Sequence, residues 1–516
     1  MDSGFGSVVR CRGAAAEPSH CSSVSGRRRA DPNRPLGPIV ILAAAAWIAL
    51  VTAGAGAEGA PATEREALNL ATFDEAWRLV AETHFDPALG GVDWNAVRNE
   101  LRPRAAAAGT DRELRRVLDD MVSRLGQSHF AILPGTDADS APETTGGAGP
   151  DLPPDCAPDV HGEILAWLET RTAEDGQPGI EVALLDEDQV VVTRVSPAGP
   201  AGRLGVAAGW RLLAVEGRTI AGPLDCLAEL TGAGFHRQLV KRWLESLLDG
   251  PPGAELPLRF ERGDGREVEI KVDLEAPPGE RVGFGNLPPS LVRFEVAGAR
   301  TPGGAEVSVV RFNQWLLPIA TAFEHAMPEL RASDAVVIDV RGNPGGVAVI
   351  AQGVAGHFVA EETSLGSLRS RRDDLELVVE PRRVARDGSR VEPHRGPLAI
   401  LIDEGSASTS EVFAAGLRDH GRARLFGSRS AGAALPAVTD RLPNGDVFLH
   451  ASMDYIRPNG EPVEGRPIVP DVETALDRED LMAGRDAALV AALAWIDEEL
   501  ARRKPSSHAD AGGEKR

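Results

Sequence analysis

Three serines fall within five residues in Gly405-Ser406-Ala407-Ser408-Thr409-Ser410-Glu411, between the apolar run Leu398–Ile402 and a helical run opening at Glu411. A serine hydroxyl becomes a nucleophile when a base takes its proton and donors hold the oxyanion its attack creates. Ser408 stands just ahead of the helix. There the spare N–H of Thr409 and the positive end of the helix dipole favour negative charge. The turn Gly342-Asn343-Pro344-Gly345-Gly346 offers a second donor from Gly345 or Gly346, because glycine lets a backbone N–H come close to a carbonyl. Serines ahead of helices also act as N-caps, and Ser406 and Ser410 read most naturally in that role. The base is less obvious, since the chain holds no lysine from Val272 to Arg503.

The elements that would position these groups follow from periodicity. Residues 63–133 read as a helical module, with Leu114, Val117, Leu118, Met121, Val122 and Leu125 on one helix face. That pattern stops at Gly126 and turns through Gln127-Ser128-His129-Phe130. A Gly/Pro/Ser/Asp-rich stretch, 134–159, reads as a linker. Residues 160–280 carry strand-like runs at Val190–Val195, Leu256–Phe260 and Val268–Val272. Residues 281–500 alternate strand, turn and helix, with apolar strands at Ala335–Val340, Leu398–Ile402 and Arg424–Gly427. This predicts an α/β multidomain fold with a largely parallel sheet. Sites in such sheets form at the carboxyl ends of the strands, where both the glycine turn and the serine turn lie. Asp339 and Arg341 read as braces for the glycine turn, and the polar tail 501–516 as disordered.

The chain has 516 residues, room for about three domains. Its net charge of −22 speaks against nucleic acid as a partner. Residues 1–59 read as an export signal or membrane anchor: Arg27-Arg28-Arg29 and Arg34 precede an uncharged run, 35–57, that ends in Ala53-Gly54-Ala55-Gly56-Ala57. The expected location is therefore periplasmic or extracellular, with 35–57 as cleaved signal or retained anchor. Cys11 and Cys21 lie ahead of that run. Cys156 and Cys226 remain as an even pair that an oxidising compartment would allow to bridge. No Cys/His spacing suggests a metal, and no cofactor is implied. Among the histidines, His420 lies at the far end of the serine helix, about 18 Å from Ser408. His394 reads as exposed, and His325, His357 and His450 as core.

The segments AVVIDVRGNPGG (335–346) and ILIDEGSASTSEVFAAGLRDHGRARLFG (400–427) resemble the S41 family of serine peptidases, the C-terminal processing and tricorn-like proteases. The resemblance implies Ser408 as nucleophile, with Thr409, Gly345 and Gly346 forming the oxyanion hole. It also implies a crotonase-like sheet for the catalytic α/β domain. In the processing branch a lysine base follows within a Thr-Phe-Gly-Lys-Gly stretch. The matching stretch here is Ser430-Ala431-Gly432-Ala433-Ala434, with Ala433 at the lysine position. The tricorn-like branch instead implies a histidine base preceded by serine, and a glutamate near the chain end. Ser128-His129 and Glu464 match these features, although Glu461 and Asp471 are neighbouring carboxylates. A neutral histidine can take the serine proton near pH 7, with a carboxylate to orient it.

Residues Val195 to Gly217 resemble a PDZ domain, with Trp210 where an acidic residue is usual. Its carboxylate-receiving loop would lie near Gly179-Ile180. Together these features imply an exported serine peptidase with protein or peptide substrates and a PDZ module that recognises or gates them. Two other readings stand beside it: a non-catalytic peptide- or ligand-binding protein on the same fold, and an esterase-like hydrolase.

Overall fold

The structure, a computed structural model, describes residues 62–135, 176–185, 189–221, 224, 243–285 and 287–503. The apolar segment 35–57, Cys156 and Cys226, nearly all of the 134–159 linker and the tail beyond Arg503 lie outside the described residues.

Every residue of Ala335–Asp339 and Leu398–Ile402 is buried. Continuous apolar runs of this kind form strands covered on both faces. They occupy the middle of a six-stranded sheet ordered Phe294–Arg300, Glu306–Phe312, Ala335–Asp339, Leu398–Ile402, Arg424–Gly427, Val472–Glu473. The first pair is antiparallel and all the others are parallel, so the sheet is largely parallel as expected. Alternate residues face opposite sides. Val336, Ile338, Leu398 and Ile400 join a core with the helices Leu317–Ala332, Ala348–Ala355 and Thr409–Asp419. Ala335, Val337, Ala399 and Leu401 face Ala488, Ala492 and Ile496 of the helix Ala487–Arg503. In the parallel register Asp339 stands beside Leu401, so the turns leaving the two central strands emerge side by side.

A second sheet is wholly antiparallel, ordered Ile180–Leu185, Gln189–Val195, Arg211–Val215, Glu255–Glu261, Glu267–Asp273. It encloses its own core, with Val192, Leu212, Trp243, Leu258 and Phe260. Ile180–Leu185 is an edge strand, paired only with Gln189–Val195 among the described residues.

The N-terminal region contains helices Ala62–Thr83, Trp94–Ala106 and Asp111–Ser123. Thr110 and Glu113 form a capping box at the start of the third helix, and its Leu114, Val117, Leu118, Met121 and Val122 are buried. The helical pattern stops before Gly126, and the end of the 63–133 module is not helical. After Gly126, at φ +61°, the chain turns into the strand Ala131–Leu133, antiparallel to Val447–Ala451. Phe130 and Ile132 share one core with Leu435, Leu442, Phe448 and Ala451. The helical region is thereby packed onto the 435–451 segment, which carries the Ser128-His129 turn toward the sheet domain.

Phe448 is fully buried in that shared core. Phe448→Ala should lower unfolding free energy by about 3–5 kcal/mol, read by chemical denaturation. A loss under about 1 kcal/mol would contradict a core shared between the two segments.

Candidate active site

The turn after Leu398–Ile402 is tied to the glycine turn by side chains. Asp403 Oδ1 accepts the N–H groups of Gly342 (2.7 Å) and Gly405 (2.9 Å). Ser406 Oγ donates to the Val340 carbonyl (2.7 Å) and accepts from Asp403 N–H (3.0 Å). Ser410 Oγ donates to the Asn343 carbonyl (2.9 Å) and accepts from Trp315 Nε1 (2.9 Å). These two serines are therefore pins between neighbouring turns, not helix caps. The lone pairs that a cap would use are taken, that of Ser406 by Asp403 N–H in its own turn and that of Ser410 by Trp315 Nε1.

Ser408 stands between the pins, half-buried, with φ +55° and ψ −119°. Such a conformation costs about 1–3 kcal/mol in a non-glycine residue and persists only where its surroundings enforce it. Ser408 N–H donates to the Ala433 carbonyl (2.8 Å) and to Glu411 Oε2 (3.1 Å). Its carbonyl accepts from Glu411 N–H (2.8 Å) and Val412 N–H (3.0 Å). The helix accordingly starts at Thr409, two residues earlier than its apolar pattern implies.

The two glycines expected to line the hole do different work. Gly345 has φ +104° and packs against the serine: a Cβ there would lie 2.6 Å from Ser408 Cβ. Its N–H is committed to Asn343 Oδ1 at 3.0 Å. Gly346 is exposed, and its N–H, like that of Thr409, meets no acceptor among the described residues. Thr409 Oγ1 donates to the Gly346 carbonyl (2.8 Å), holding the two residues together. The available donor pair is thus Gly346 and Thr409, with Gly345 as the spacer that permits their approach.

Ser128, His129 and Glu464 also come together, across 336 positions of sequence between Ser128 and Glu464. Glu464 Oε1 accepts from Ser128 N–H (2.7 Å), and Oε2 from Ser128 Oγ (2.8 Å) and Ala434 N–H (3.2 Å). Ser128 Oγ lies 2.7 Å from His129 Nδ1. A hydroxyl has one proton, and this one points at the carboxylate. Oγ can then only accept, so Nδ1 carries the ring proton and Nε2 is left as a base. Burial pushes the His129 imidazole down to about 4, which keeps it neutral near pH 7. Burial raises the Glu464 carboxyl, against the bonds from Ser128 and Ala434. Of the four non-glycine residues with positive φ among the described residues, two are Ser408 and His129 (φ +62°), so strain falls on both candidate reacting groups.

The loop 430–434 joins the two halves. Ser408 N–H holds the Ala433 carbonyl and Glu464 holds the Ala434 N–H, two ends of one peptide group. Two residues with no role assigned from sequence also belong to the surroundings. Glu411 receives this loop, and its position three residues after Ser408, the capping-box spacing, was the signal that could have marked it. Burial, opposed by its donors, pushes the Glu411 carboxyl up to about 7. His84 is fully buried, stacks on Phe85 and Phe130, and places Nε2 2.7 Å from Gln127 Oε1, which steadies the Ser128-His129 turn. No local pattern announces it.

The remaining candidates stand apart. Glu461 meets Arg457, and Asp471 Oδ2 accepts from Leu425 N–H (2.8 Å). His420 lies 2.8 Å from the Ser364 carbonyl. His394 is buried, contrary to its arginine-rich sequence, because its ring packs by Phe358 with Nε2 3.2 Å from the Ser333 carbonyl. His325 is exposed rather than core, and lies 2.7 Å from Arg386. His357 and His450 are buried as expected. Arg341 braces the glycine turn, pairing with Asp339 (2.8 Å) and Asp486 (2.6 Å). Gly179, at φ +77°, and Ile180 open the edge strand of the antiparallel sheet. No cluster of three metal-ligating side chains occurs, and no helix is long and apolar enough to cross a membrane, among the described residues.

The depressed pKa of His129 has a measurable sign. Between about pH 6.5 and 4 the unfolded chain binds a proton that the folded chain refuses. The penalty is absent above pH 6.5 and grows as pH falls toward 4. The stability of wild type relative to His129→Ala should therefore fall by on the order of 1–3 kcal/mol from neutral to acid pH, read by denaturant melts. A pH-independent difference would contradict a desolvated, neutral ring.

Residues 306–474 match peptidase family S41, and residues 67–123 match the tricorn protease C1 domain. A probable CtpA-like serine protease of Staphylococcus haemolyticus (strain JCSC1435) is 25% identical over 325 residues, covering 61% of this chain and 57% of that protein. One of Staphylococcus aureus (strain COL) is 24% identical over 321 residues, with the same coverages of 61% and 57%. The chain thus spans 57% of the length of these relatives. Mature CPAF aligns with a TM-score of 0.55 at 13% identity, over 86% of this chain and 99% of that one. Mature CPAF complexed with lactacystin aligns with a TM-score of 0.51 at 14% identity, over 85% and 99%. These structures share the fold. The segment 306–474, which carries both the glycine turn and the serine turn, is the part of the chain that is similar to peptidase family S41.

Proposed function

We propose that the chain is an exported serine peptidase working through Ser408, His129 and Glu464, with Ser128 between the last two. One observation carries the reading: the relay Glu464–Ser128–His129 and the strained Ser408 grip opposite ends of the Ala433–Ala434 peptide group. In this mechanism His129 Nε2 takes the Ser408 hydroxyl proton as Oγ bonds to the substrate carbonyl carbon. The carbonyl electron pair moves onto oxygen, where Gly346 and Thr409 N–H groups hold it. The imidazolium is stabilised through Ser128 by Glu464, and gives its proton to the leaving amine as the C–N bond breaks. Water, deprotonated by His129, then releases the acyl group and restores Ser408.

The staphylococcal relatives are named as CtpA-like serine proteases, which favours a peptide over an ester as substrate. The antiparallel sheet acts as a PDZ-like module in this reading. An extended peptide end would add to the side of Ile180–Leu185 that pairs with no strand among the described residues, with its carboxylate at the Gly179-Ile180 loop. Export follows from the basic start and uncharged run before residue 58.

A fluorophosphonate probe tests the nucleophile: wild type should be labelled and folded Ser408→Ala should not. Equal labelling of both would end the hydrolase reading and leave a binding protein on this fold. His129→Ala should lower peptide kcat by at least about 10⁴-fold while retaining capture of a peptide with a free C-terminus. Retained turnover would place the base elsewhere.

A further inference from the structure

Glu411 takes no part in the steps above, yet its carboxylate is met on every side. The residue is 1% exposed. Oε1 accepts from Ser430 Oγ (2.5 Å) and Gly432 N–H (2.8 Å), and Oε2 from Ala433 N–H (3.0 Å) and Ser408 N–H (3.1 Å). Burying a carboxylate is costly unless its lone pairs are satisfied. A capping box accounts for only one of these bonds, the one from Ser408. The other three come from the loop 430–433, which belongs to no helix.

Away from Glu411 the loop is held by Ala431 N–H on the Ser406 carbonyl (3.0 Å) and by Ser430, whose N–H meets the Ile468 carbonyl (3.1 Å) and whose Oγ accepts from Ile468 N–H (2.7 Å). Ala431, Gly432, Ala433 and Ala434 offer no polar side chain, so only their backbone can be gripped. Consecutive N–H groups go to different carboxylates, Ala433 to Glu411 and Ala434 to Glu464. Gly465 N–H, next to Glu464, returns to the Gly432 carbonyl (2.9 Å). A displacement at Glu411 therefore passes through one residue to Glu464, and from there to Ser128 and His129.

Resting on the peptidase reading for its catalytic consequence, we propose that Glu411 is a positioning residue. By clamping the loop 430–434 against the Ser408 turn, it sets where the Glu464–Ser128–His129 relay stands relative to the nucleophile. The clamp requires two acceptor oxygens. A glutamine would present its NH₂ to at least one backbone N–H whichever way it turned, whereas an aspartate keeps both oxygens on a shorter arm.

Glu411→Gln and Glu411→Asp in the full chain test this. Folding is followed by thermal melts, turnover by peptide kcat and KM, and local order by hydrogen exchange over 126–130, 409–419 and 430–434. Folded Glu411→Gln should lose about 100-fold in kcat with KM little changed, as a misplaced base does. Exchange should rise about tenfold or more in both 430–434 and 126–130, as local opening of one coupled unit requires. Glu411→Asp should recover part of kcat.

Wild-type kcat in Glu411→Gln, or faster exchange confined to 409–419, would overturn the proposal. So would a Glu411→Asp variant no better than Glu411→Gln, which marks a purely structural role. Should Glu411→Gln not fold, Glu411→Asp decides: lowered kcat with faster exchange at 126–130 supports the role, and wild-type values of both overturn it. If wild type is labelled no better than Ser408→Ala, the peptidase reading fails, while exchange at 126–130 still decides the positioning role.

Discussion

The peptide group between Ala433 and Ala434 is held at both ends, its carbonyl by Ser408 and its N–H by Glu464. The arrangement on either side depends on that grip. Toward the sheet lie Ser408, its pins Ser406 and Ser410, and the glycine turn. Toward the N-terminal helices lie Glu464, Ser128 and His129. A peptide group is planar and does not stretch, so it acts as a rigid spacer between two parts of the site contributed by distant sequence.

Each half is made rigid by different means. The serine half inherits its geometry from parallel strands whose register sets Asp339 beside Leu401 and brings the two turns together. The histidine half hangs on a short antiparallel pairing, Ala131–Leu133 with Val447–Ala451, and on the core around Phe448. Both candidate reacting residues carry positive φ, so the surrounding contacts must overcome a backbone cost at each. Electrostatics runs in the same direction. The imidazole is kept neutral by burial, while the carboxylate that would steady its charged form acts through a hydroxyl.

What was legible in the sequence was what local pattern encodes. Ala335–Asp339 and Leu398–Ile402 announce themselves because a strand buried on both faces must be apolar throughout. Ser408 is a candidate from its place at a strand–helix turn, where a cap is the commoner role, and the resemblance to a family is what singles it out. Ser128, His129 and Glu464 were reachable only through resemblance to a family, since no local rule links positions 336 residues apart. Glu411 and His84 went unread because their significance lies in what they touch. Ser406 and Ser410 resemble caps in sequence but bond across the sheet. The strand Ala131–Leu133 after the Gly126 turn carries no local signal because its pairing edge and core, Val447–Ala451, lie far along the chain.

The central claim is that Ser408 meets a base delivered by the N-terminal region. The most direct measurement is a crystal structure of the fluorophosphonate-treated protein. The account predicts phosphorus on Ser408 Oγ and an adduct oxygen accepting from Gly346 and Thr409 N–H. It also predicts His129 Nε2 within about 3 Å of an adduct oxygen. An adduct on Ser408 with His129 turned away and another group in that place, or an adduct on a different residue, would contradict it.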